Sequence, residues 1–340
     1  MTTNTPVLLA GHGSRREESN QQVKEVAAAL EDRLGERVMP AYIELTEPLL
    51  DEGIDTLAPA AESVTVVPLS LFAAGHVKND IPLFVQYGRQ AYPGTDFYYG
   101  SNLGARPEMI EIIADRITDA TDDISADPAT DDVAVVFVAR GSSDPDANSE
   151  AFRLARLVYE GRPYSRVETA FIGITEPHLD QVMAEVTRHD PDAVIVMPYM
   201  LGDGVLNQRI ADTVAEYDAE HERIEATKTD VLGVDKRLLR TLEYRVMEAR
   251  QGEVSMSCDQ CLYKVTLEDY AEEVGGEKAF VHSLEHTLAH VSGEHSHDHS
   301  HEDDEQRDGY SHDDGHSHDP GHGDAHSHGH SHAGGEDYDH

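Results

Sequence analysis

The sequence predicts an α/β protein of two tandem repeats, each with a mostly parallel sheet covered by helices on both faces. Short apolar runs alternate with segments of helical periodicity, which is typical of parallel sheets. The motifs of the first repeat, 1–122, recur in a second repeat, 133–250, at offsets of 128 to 130 residues. A polar, acidic linker, 121–132, joins the two, and a histidine-rich tail ends the chain. We therefore expect two similar lobes and a disordered tail.

Four strands are predicted in the first repeat, each followed by a helical pattern. The strands are 7–10, 38–43, 64–69 and 96–99, and the helical patterns cover approximately 20–30, 48–57, 79–91 and 107–118. Each strand is a short apolar run bounded by turn residues, as in a buried parallel strand. A strand order of 2-1-3-4 would place the first and third strands side by side, with a crevice above their carboxyl ends.

The second repeat keeps the scaffold motifs of the first but not its histidines. Its predicted strands include 133–138, 167–172 and 193–198. The matched motifs are Gly13-Ser14 with Gly141-Ser142, Asn20 with Asn148, Thr46-Glu47-Pro48 with Thr175-Glu176-Pro177, Pro68 with Pro198, and Gly75 with Gly204. In this pairing His12 falls opposite Arg140, and His76 falls opposite Val205. The pairing predicts one working site per chain.

The composition is strongly acidic, with 26 Lys and Arg against 66 Asp and Glu and a formal charge of -40. Such a surface repels nucleic acid and anionic membranes, so neither is an expected partner. Acidic residues spread along the chain favour adaptation to a salt-rich cytoplasm, where the Debye length falls to about 3 Å at 1 M salt. Without a signal-peptide pattern or a long apolar run, we expect a soluble cytoplasmic protein. Two cysteines cannot build a disulfide framework, which fits a reducing compartment.

Two histidines mark the expected crevice, because His12 follows the first strand and His76 follows the third. Paired neutral imidazoles suit a divalent metal such as Co²⁺, Ni²⁺, Fe²⁺ or Zn²⁺. The alternative is that each histidine only caps a loop. Glu44 and Glu47 close the second strand at the same edge and could bind a cation or accept protons. Glu47 beside Pro48 could instead simply favour the start of a helix.

Taken together, three motifs resemble a known family. They are Ala10-Gly11-His12-Gly13-Ser14, Glu44-Leu45-Thr46-Glu47-Pro48, and Leu71-Phe72-Ala73-Ala74-Gly75-His76 followed by Asn79-Asp80-Ile81-Pro82. Over residues 6–250 the chain resembles the long, tandem form of the sirohydrochlorin cobaltochelatases of the CbiX type, which are class II chelatases. The resemblance implies two flavodoxin-like lobes facing each other across a tetrapyrrole cleft. It also implies insertion of Co²⁺ into sirohydrochlorin with release of two protons and without ATP, in anaerobic, early-cobalt cobalamin biosynthesis.

The same resemblance implies roles for individual residues. His12 would be a metal ligand and the proton acceptor, and His76 would be the second metal ligand. The expected contacts with the macrocycle are Glu47, Leu71, Phe72, Ala73, Ala74, Gly75 and His76. Arg140 could anchor a substrate rich in carboxylates, or could be an ordinary surface arginine.

Two other functions stay open at this point. Histidines and a glutamate do not distinguish Co²⁺ from Fe²⁺, which would give an enzyme of the sirohaem route, or from Ni²⁺. The chain could also be a non-catalytic protein for metal buffering or delivery, with the lobes as a docking scaffold. That interpretation leaves the intact pair of His12 and His76 unexplained.

Beyond residue 250 the sequence offers two further metal-binding patterns. Cys258 and Cys261, in segment 251–292, resemble a motif that long family members associate with a 4Fe–4S cluster. Because a cluster normally takes four thiolates, a homodimer could share one, other ligands could complete it, or the pair could bind zinc with tail histidines. The tail, 293–340, is too polar to fold and could buffer metal. Its candidate ligands are His295, His297, His299, His301, His326, His328, His330 and His332; alternatively, the tail is only a solvated acidic segment.

Overall fold

The protein is described by a computed structural model that covers residues 4–254 together with Val281 and Glu285. The predictions for Cys258, Cys261 and the histidine-rich tail lie outside these residues. Among the residues that the structure covers, no helix is long and apolar enough to cross a membrane.

The first repeat folds as predicted into a four-stranded parallel sheet with the order β2-β1-β3-β4. Its strands are β1 (Val7–Gly11), β2 (Val38–Tyr42), β3 (Ser63–Pro68) and β4 (Asp96–Tyr99). Its helices are α1 (Glu17–Leu34), α2 (Leu50–Leu57), α3 (Ile81–Ala91) and α4 (Pro107–Ala120). A π-helical turn, His76–Asp80, precedes α3, and short 3₁₀ turns cover Ala58–Ala60 and Thr121–Asp123.

The second repeat forms a matching parallel sheet with the order β6-β5-β7-β8. Its strands are β5 (Val133–Ala139), β6 (Arg166–Phe171), β7 (Ala193–Pro198) and β8 (Glu225–Lys228). Its helices are α5 (Pro145–Tyr159), α6 (Leu179–Thr187), α7 (Val205–Glu220) and α8 (Lys236–Gln251). β8 has no counterpart among the predicted strands because it is a half-buried edge strand without an apolar run.

The duplication extends to fine backbone detail. Residues at equivalent loop positions, Leu45 and Ile174, both adopt the left-handed conformation, with φ of 65° and 64°. Gly13 and Gly141, with φ of 97° and 89°, also match. Both repeats contain a cis peptide bond before the proline that precedes their second helix, at Glu47-Pro48 and Glu176-Pro177. The predicted internal repeat is therefore confirmed at the level of individual turns.

One apolar cluster fills the space between the two sheets. It combines the inner faces of both sheets with apolar side chains of α1, α4, α5 and α8. Two further clusters lie on the outer faces, under α2 and α3 in the first repeat and under α6 and α7 in the second. Because burial of apolar surface is the main stabilising contribution in folding, the shared inner cluster joins both repeats into one folding unit.

The last helix of each repeat packs against the sheet of the other repeat. α8 contacts β3, β4 and α1, whereas α4 contacts β7 and α5. An arginine on each of these helices donates hydrogen bonds to the backbone of the other repeat. Arg116 donates to the carbonyl oxygens of Val231 at 3.1 Å and Leu232 at 3.0 Å, and Arg245 donates to that of Leu103 at 2.9 Å. Each sheet is therefore covered in part by a helix of the other repeat.

Candidate metal centre

His12 lies directly after β1, at a place where the backbone of a second loop comes very close. Gly13 has a left-handed φ of 97°, and a Cβ atom on it would lie 1.8 Å from the carbonyl oxygen of Glu44. Glycine is therefore required at this position. The close approach is fixed by the backbone N–H of Glu44, which donates to the carbonyl oxygen of His12 at 3.1 Å. Two residues that are distant in sequence become neighbours in this way.

His76 lies at the start of the π-helical turn before α3. The N–H of Ile81 donates to the carbonyl oxygen of His76, five residues earlier, which defines this turn. Leu71 matches Leu201, since their carbonyl oxygens accept equivalent hydrogen bonds, but Ile81 matches the buried Ile210. The offset thus falls from 130 to 129 between Leu71 and Ile81, so the first repeat has one extra residue in this stretch. Such π-turns occur frequently at functional sites.

The structure brings His12 and His76 together and adds Glu44 to them. One potential ligand atom from each of the three side chains lies within 4.8 Å of the other two. The imidazole centroids are 4.8 Å apart and nearly perpendicular, and Nε2 of His12 lies 3.5 Å from Oε1 of Glu44. Both imidazole side chains remain 42% exposed, so the site is open to solvent on one side. Two imidazoles and a carboxylate form a suitable ligand set for a first-row divalent metal.

Each ring is oriented through its Nδ1 atom. Nδ1 of His12 lies 3.1 Å from the carbonyl oxygen of Gly13, and Nδ1 of His76 lies 2.5 Å from Oδ2 of Asp80. Because a carbonyl oxygen and a carboxylate only accept hydrogen bonds, the neutral form of each ring would carry its proton on Nδ1. This leaves Nε2 of each ring free to bind metal, and such outer partners commonly fix metal-binding histidines.

His12 is uncharged at neutral pH. Partial burial of its ring and the nearby His76 together lower its pKa from 6.5 to about 4, while Glu44 opposes the shift. The positive charge of Arg140 also lowers the pKa of His12, as the last and smallest of these causes. A neutral imidazole keeps the lone pair that metal binding requires.

The remaining predicted contacts with the macrocycle are Glu47 and the loop from Leu71 to His76. Glu47 is exposed and is not part of the three-residue metal group, so a role in binding the macrocycle stays a prediction. Within the loop from Leu71 to His76, Ala73 is buried and the others are partly buried. The Phe72 ring packs on Tyr199 of the second repeat at 5.2 Å. The loop is thereby held against both repeats.

Three large apolar side chains are exposed at the ends of strands on this side of both sheets. Leu45, Ile174 and Val205 are 46%, 37% and 45% exposed and follow β2, β6 and β7. Sequence reasoning did not single out Leu45 or Ile174 as functional residues. The available signal was their equivalent position, one residue before Thr-Glu-Pro in each repeat. Asp80 and the metal-binding geometry of Glu44 were likewise not assigned from the sequence.

The second repeat lacks all three ligands. The N–H of Gly173 donates to the carbonyl oxygen of Arg140 at 3.1 Å, the same bond that Glu44 makes to His12. Arg140 and Gly173 therefore replace a histidine and a glutamate. The position of the third ligand, His76, is occupied by Val205, which starts α7 directly after Gly204 without a π-helical turn. Among the described residues, His12, Glu44 and His76 are the one such group identified.

Comparison with known proteins places this geometry in a family. The CbiX family model matches the chain twice, over residues 6–120 and 134–249. The chain belongs to the CbiX family. The two matches coincide with the two repeats, which agrees with the tandem form expected from the motifs.

This CbiX chain is similar to chelatases that differ in their metal. It is 34% identical to the sirohydrochlorin cobaltochelatase of Priestia megaterium over 78% of this chain and 87% of that protein. It is 29% identical to the sirohydrochlorin ferrochelatase of Bacillus subtilis over 64% of this chain and 82% of that protein. The solved structure of SirB from Bacillus subtilis with Fe³⁺ superposes with a TM-score of 0.66 and 26% identity, covering 74% of this chain and 98% of that one.

Proposed function

We propose that this chain inserts Co²⁺ into sirohydrochlorin, exchanging the metal for two pyrrole protons without ATP, in cobalamin biosynthesis. The observation that carries the proposal is the open group of His12, Glu44 and His76 in a chain of the CbiX family. A closed structural site would surround its metal with protein ligands, whereas a chelatase must release it. Three ligands on an exposed edge leave coordination positions for the nitrogens of a macrocycle.

The same side chains can accept the protons that the reaction releases. The lone pair on Nε2 of His12 would be shared with the bound metal, and would become available when the metal moves to the macrocycle. His12 can then accept one pyrrole proton, as expected of a general base within reach of its substrate. Oε1 of Glu44, 3.5 Å from that nitrogen, can accept the second proton. Metal transfer and proton removal are thereby coupled at one place.

The surroundings suit a flat, partly apolar ligand with acidic groups. Leu45, Ile174 and Val205 offer apolar contacts from both repeats. Arg140 is exposed near His12 and can pair with a carboxylate. The loop from Leu71 to His76 and the exposed Glu47 complete the proposed contacts. Sirohydrochlorin, with its macrocyclic ring and its carboxylate side chains, has both properties.

Cobalt is favoured over iron by the extent of the similarity. The match to the cobaltochelatase spans 78% of the 340 residues, about 265 residues, so it must continue past the end of α8 at Gln251. It therefore includes Cys258 and Cys261. The matches to the two bacterial ferrochelatases span 64%, no more than the two repeats require. Iron stays the alternative metal, because two histidines and a glutamate bind either ion.

Two accessory metal sites are part of the proposal. Cys258 and Cys261 would hold a 4Fe–4S cluster shared between two chains, or zinc completed by other ligands. The histidines of the tail would buffer divalent metal or deliver it to the site. Neither is required for the transfer step itself, so a chain truncated after residue 291 is expected to retain insertion activity.

The test is an anaerobic absorbance assay of Co²⁺ and Fe²⁺ insertion into sirohydrochlorin at high salt. Wild type, His12→Ala, His76→Ala and the truncated chain are compared. His189→Ala is the matched control, since His189 also lies near a glutamate, with Nε2 3.7 Å from Glu185, but outside the metal group. We expect rapid Co²⁺ insertion by wild type, His189→Ala and the truncated chain, and a loss of at least about 100-fold in the two site variants.

Faster insertion of Fe²⁺ than of Co²⁺ would overturn the choice of metal and keep the site. Full activity of both site variants would refute the site itself. No insertion of either metal, together with tight metal binding in the tail, would support a metal-delivery protein instead.

A further inference from the structure

A buried ammonium group connects the turn that carries His76 to the second repeat. Nζ of Lys78 donates to Oδ2 of Asp144 at 2.7 Å and to Oδ2 of Asp146 at 2.9 Å. The side chains of Lys78, Asp144 and Asp146 are 5%, 1% and 12% exposed. Lys78 follows His76 by two residues within the π-helical turn, whereas both carboxylates belong to the start of α5.

This ion triad is buried, and both of its carboxylates accept directly from the same ammonium group. Desolvation of such groups costs much of what their attraction contributes, so a buried ion pair is a poor source of stability. Its best-attested use is to fix one arrangement of the groups that it joins. What the triad fixes is the position of the ligand-bearing turn.

The acceptor side of the triad is itself rigid. Asp144 caps α5, because its Oδ1 accepts from the N–H of Asp146 at 3.0 Å. The N–H of Asp144 donates to Oγ of Ser142 at 3.0 Å. Lys78 thus reaches a carboxylate whose position is set by a helix terminus and a turn. Small movements of the turn would stretch these bonds.

The two repeats differ at the triad, as they do at the metal site. Arg16 is the counterpart of Asp144, since its N–H donates to Oγ of Ser14 at 3.0 Å and it precedes α1 as Asp144 precedes α5. An arginine cannot accept a hydrogen bond from an ammonium group. Asp144 therefore has no equivalent acceptor in the first repeat, and together with Asp146 it holds the turn of the repeat with ligands.

We propose that Lys78 is a positioning residue for the metal site, which holds the His76 turn against α5 so that Nε2 of His76 faces His12 and Glu44. Asp80 sets the rotation of the His76 ring, and Lys78 sets the backbone from which it projects. The second repeat thereby contributes to metal binding although it supplies no ligand. This inference rests on the proposed metal site.

The test is a double-mutant cycle on Co²⁺ affinity. The reference chain is the full-length protein with the histidines of 282–340 replaced by glutamine and both cysteines replaced by serine, so that the visible absorption of added Co²⁺ reports the site alone. Lys78→Met, His76→Ala and the combination are titrated anaerobically at high salt. We expect Lys78→Met to weaken Co²⁺ binding about 10-fold, as is typical for outer-shell partners of metal ligands. In the His76→Ala background it should cause no further loss, because it acts through that ring.

Two more variants separate positioning from folding. Lys78→Met leaves two buried carboxylates unpaired and could lower stability. The triple variant Lys78→Met, Asp144→Asn, Asp146→Asn removes all three charges and should fold while showing the same weakened binding. Lys24→Met is the matched control, because Lys24 pairs with Glu17 on an exposed surface and should leave Co²⁺ affinity unchanged.

The proposal would be overturned if Lys78→Met weakened Co²⁺ binding equally in the reference chain and in the His76→Ala chain. It would also be overturned if the folded triple variant kept the Co²⁺ affinity of the reference chain while His76→Ala lost it. If His76→Ala itself leaves Co²⁺ affinity unchanged, the proposed metal site fails and this inference fails with it. The two failures are therefore distinguishable.

Discussion

Glu44 and Gly173 occupy the same place in the two repeats. Each donates its backbone N–H, at 3.1 Å, to the carbonyl oxygen of the residue that follows the first strand of its repeat. Those residues are His12 and Arg140. In the first repeat this backbone contact places the carboxylate of Glu44 beside the imidazole of His12. In the second repeat the same contact brings together Gly173, which has no side chain, and Arg140. The metal site depends on side chains added to a common frame.

This relationship separates the roles of Glu44 and Glu47. Glu44→Gln keeps the shape of the side chain but removes the negative charge 3.5 Å from Nε2 of His12. We expect Co²⁺ affinity of the reference chain to fall at least about 10-fold. Glu47→Gln, at an exposed position outside the metal group, should leave that affinity unchanged. Co²⁺ titration checks both, and the reverse ranking would show that Glu47 is the metal ligand in place of Glu44.

The close backbone contact offers a second, matched comparison. A Cβ on Gly13 would lie 1.8 Å from the carbonyl oxygen of Glu44, and a Cβ on Gly141 would lie 2.2 Å from that of Gly173. Both glycines have a left-handed φ, so Gly13→Ala and Gly141→Ala should each lower the free energy of unfolding by roughly 1–3 kcal/mol.

Only one of these alanine variants should disturb the metal site. Gly13→Ala must displace Glu44 from His12, whereas Gly141→Ala displaces a glycine in the repeat without ligands. Urea denaturation gives the stabilities, and Co²⁺ titration under conditions where both variants are folded gives the affinities. The interpretation fails if both variants bind Co²⁺ equally well.

The sequence predicted the strands and their order well because buried parallel strands are continuous apolar runs. Seven of the eight strands were predicted, most of them from this pattern, and the order β2-β1-β3-β4 agrees with the expected crevice. β8 escaped prediction because an edge strand does not need an apolar run. The packing of α4 and α8 on the sheet of the other repeat was also not predicted. Hydrophobic periodicity shows which face of a helix is apolar, but not which sheet that face packs against.

The candidate site was predictable only in part for a similar reason. His12 and His76 follow strands that pair, so their proximity follows from topology. The sequence offers two carboxylates three residues apart, and nothing local decides which one faces the histidines. The left-handed Leu45 and the contact of Glu44 with His12 decide it. The triad of Lys78 with α5 joins residues 66 and 68 positions apart and leaves no periodic signal.

The attachment of α8 to the first repeat predicts a stability effect at Arg250. Its guanidinium donates to the carbonyl oxygen of Thr5 at 2.7 Å, to Oε2 of Glu36 at 2.7 Å and to Oγ1 of Thr65 at 3.0 Å. Arg250→Ala should lower the free energy of unfolding by about 1–3 kcal/mol, since it leaves partly buried acceptors without a donor. Denaturant unfolding at high salt measures this loss.

A surface arginine supplies the control for that prediction. Arg156 pairs with Glu160 on α5, but the two side chains are 67% and 58% exposed. Arg156→Ala should therefore change stability by no more than about 0.5 kcal/mol. A loss for Arg156→Ala as large as that for Arg250→Ala would show that high salt and charge number, rather than the contacts of α8, govern stability.

The cap of α8 predicts a pH-dependent contribution to stability. Oδ1 of Asp235 accepts from the backbone N–H of Arg237 at 2.8 Å, and its Oδ2 accepts from the guanidinium at 2.9 Å. These bonds hold the pKa of Asp235 below its usual 3.8, with the Arg237 side chain as the main cause and burial opposing it. Asp235→Ala should cost about 1 kcal/mol at pH 7, a typical value for loss of an N-cap.

The sign of the pH effect follows from the direction of the shift. A carboxylate whose pKa is lowered by folding stabilises the folded state fully above its unfolded pKa, and loses this contribution as the pH falls through the folded value. The difference in unfolding free energy between wild type and Asp235→Ala should therefore be constant from pH 7 to about 5 and shrink below about 3.8. Asp122→Ala, at an exposed position, should show no such change. Urea denaturation at a series of pH values measures both differences, and a gap for Asp235→Ala that widens on acidification would contradict the assignment.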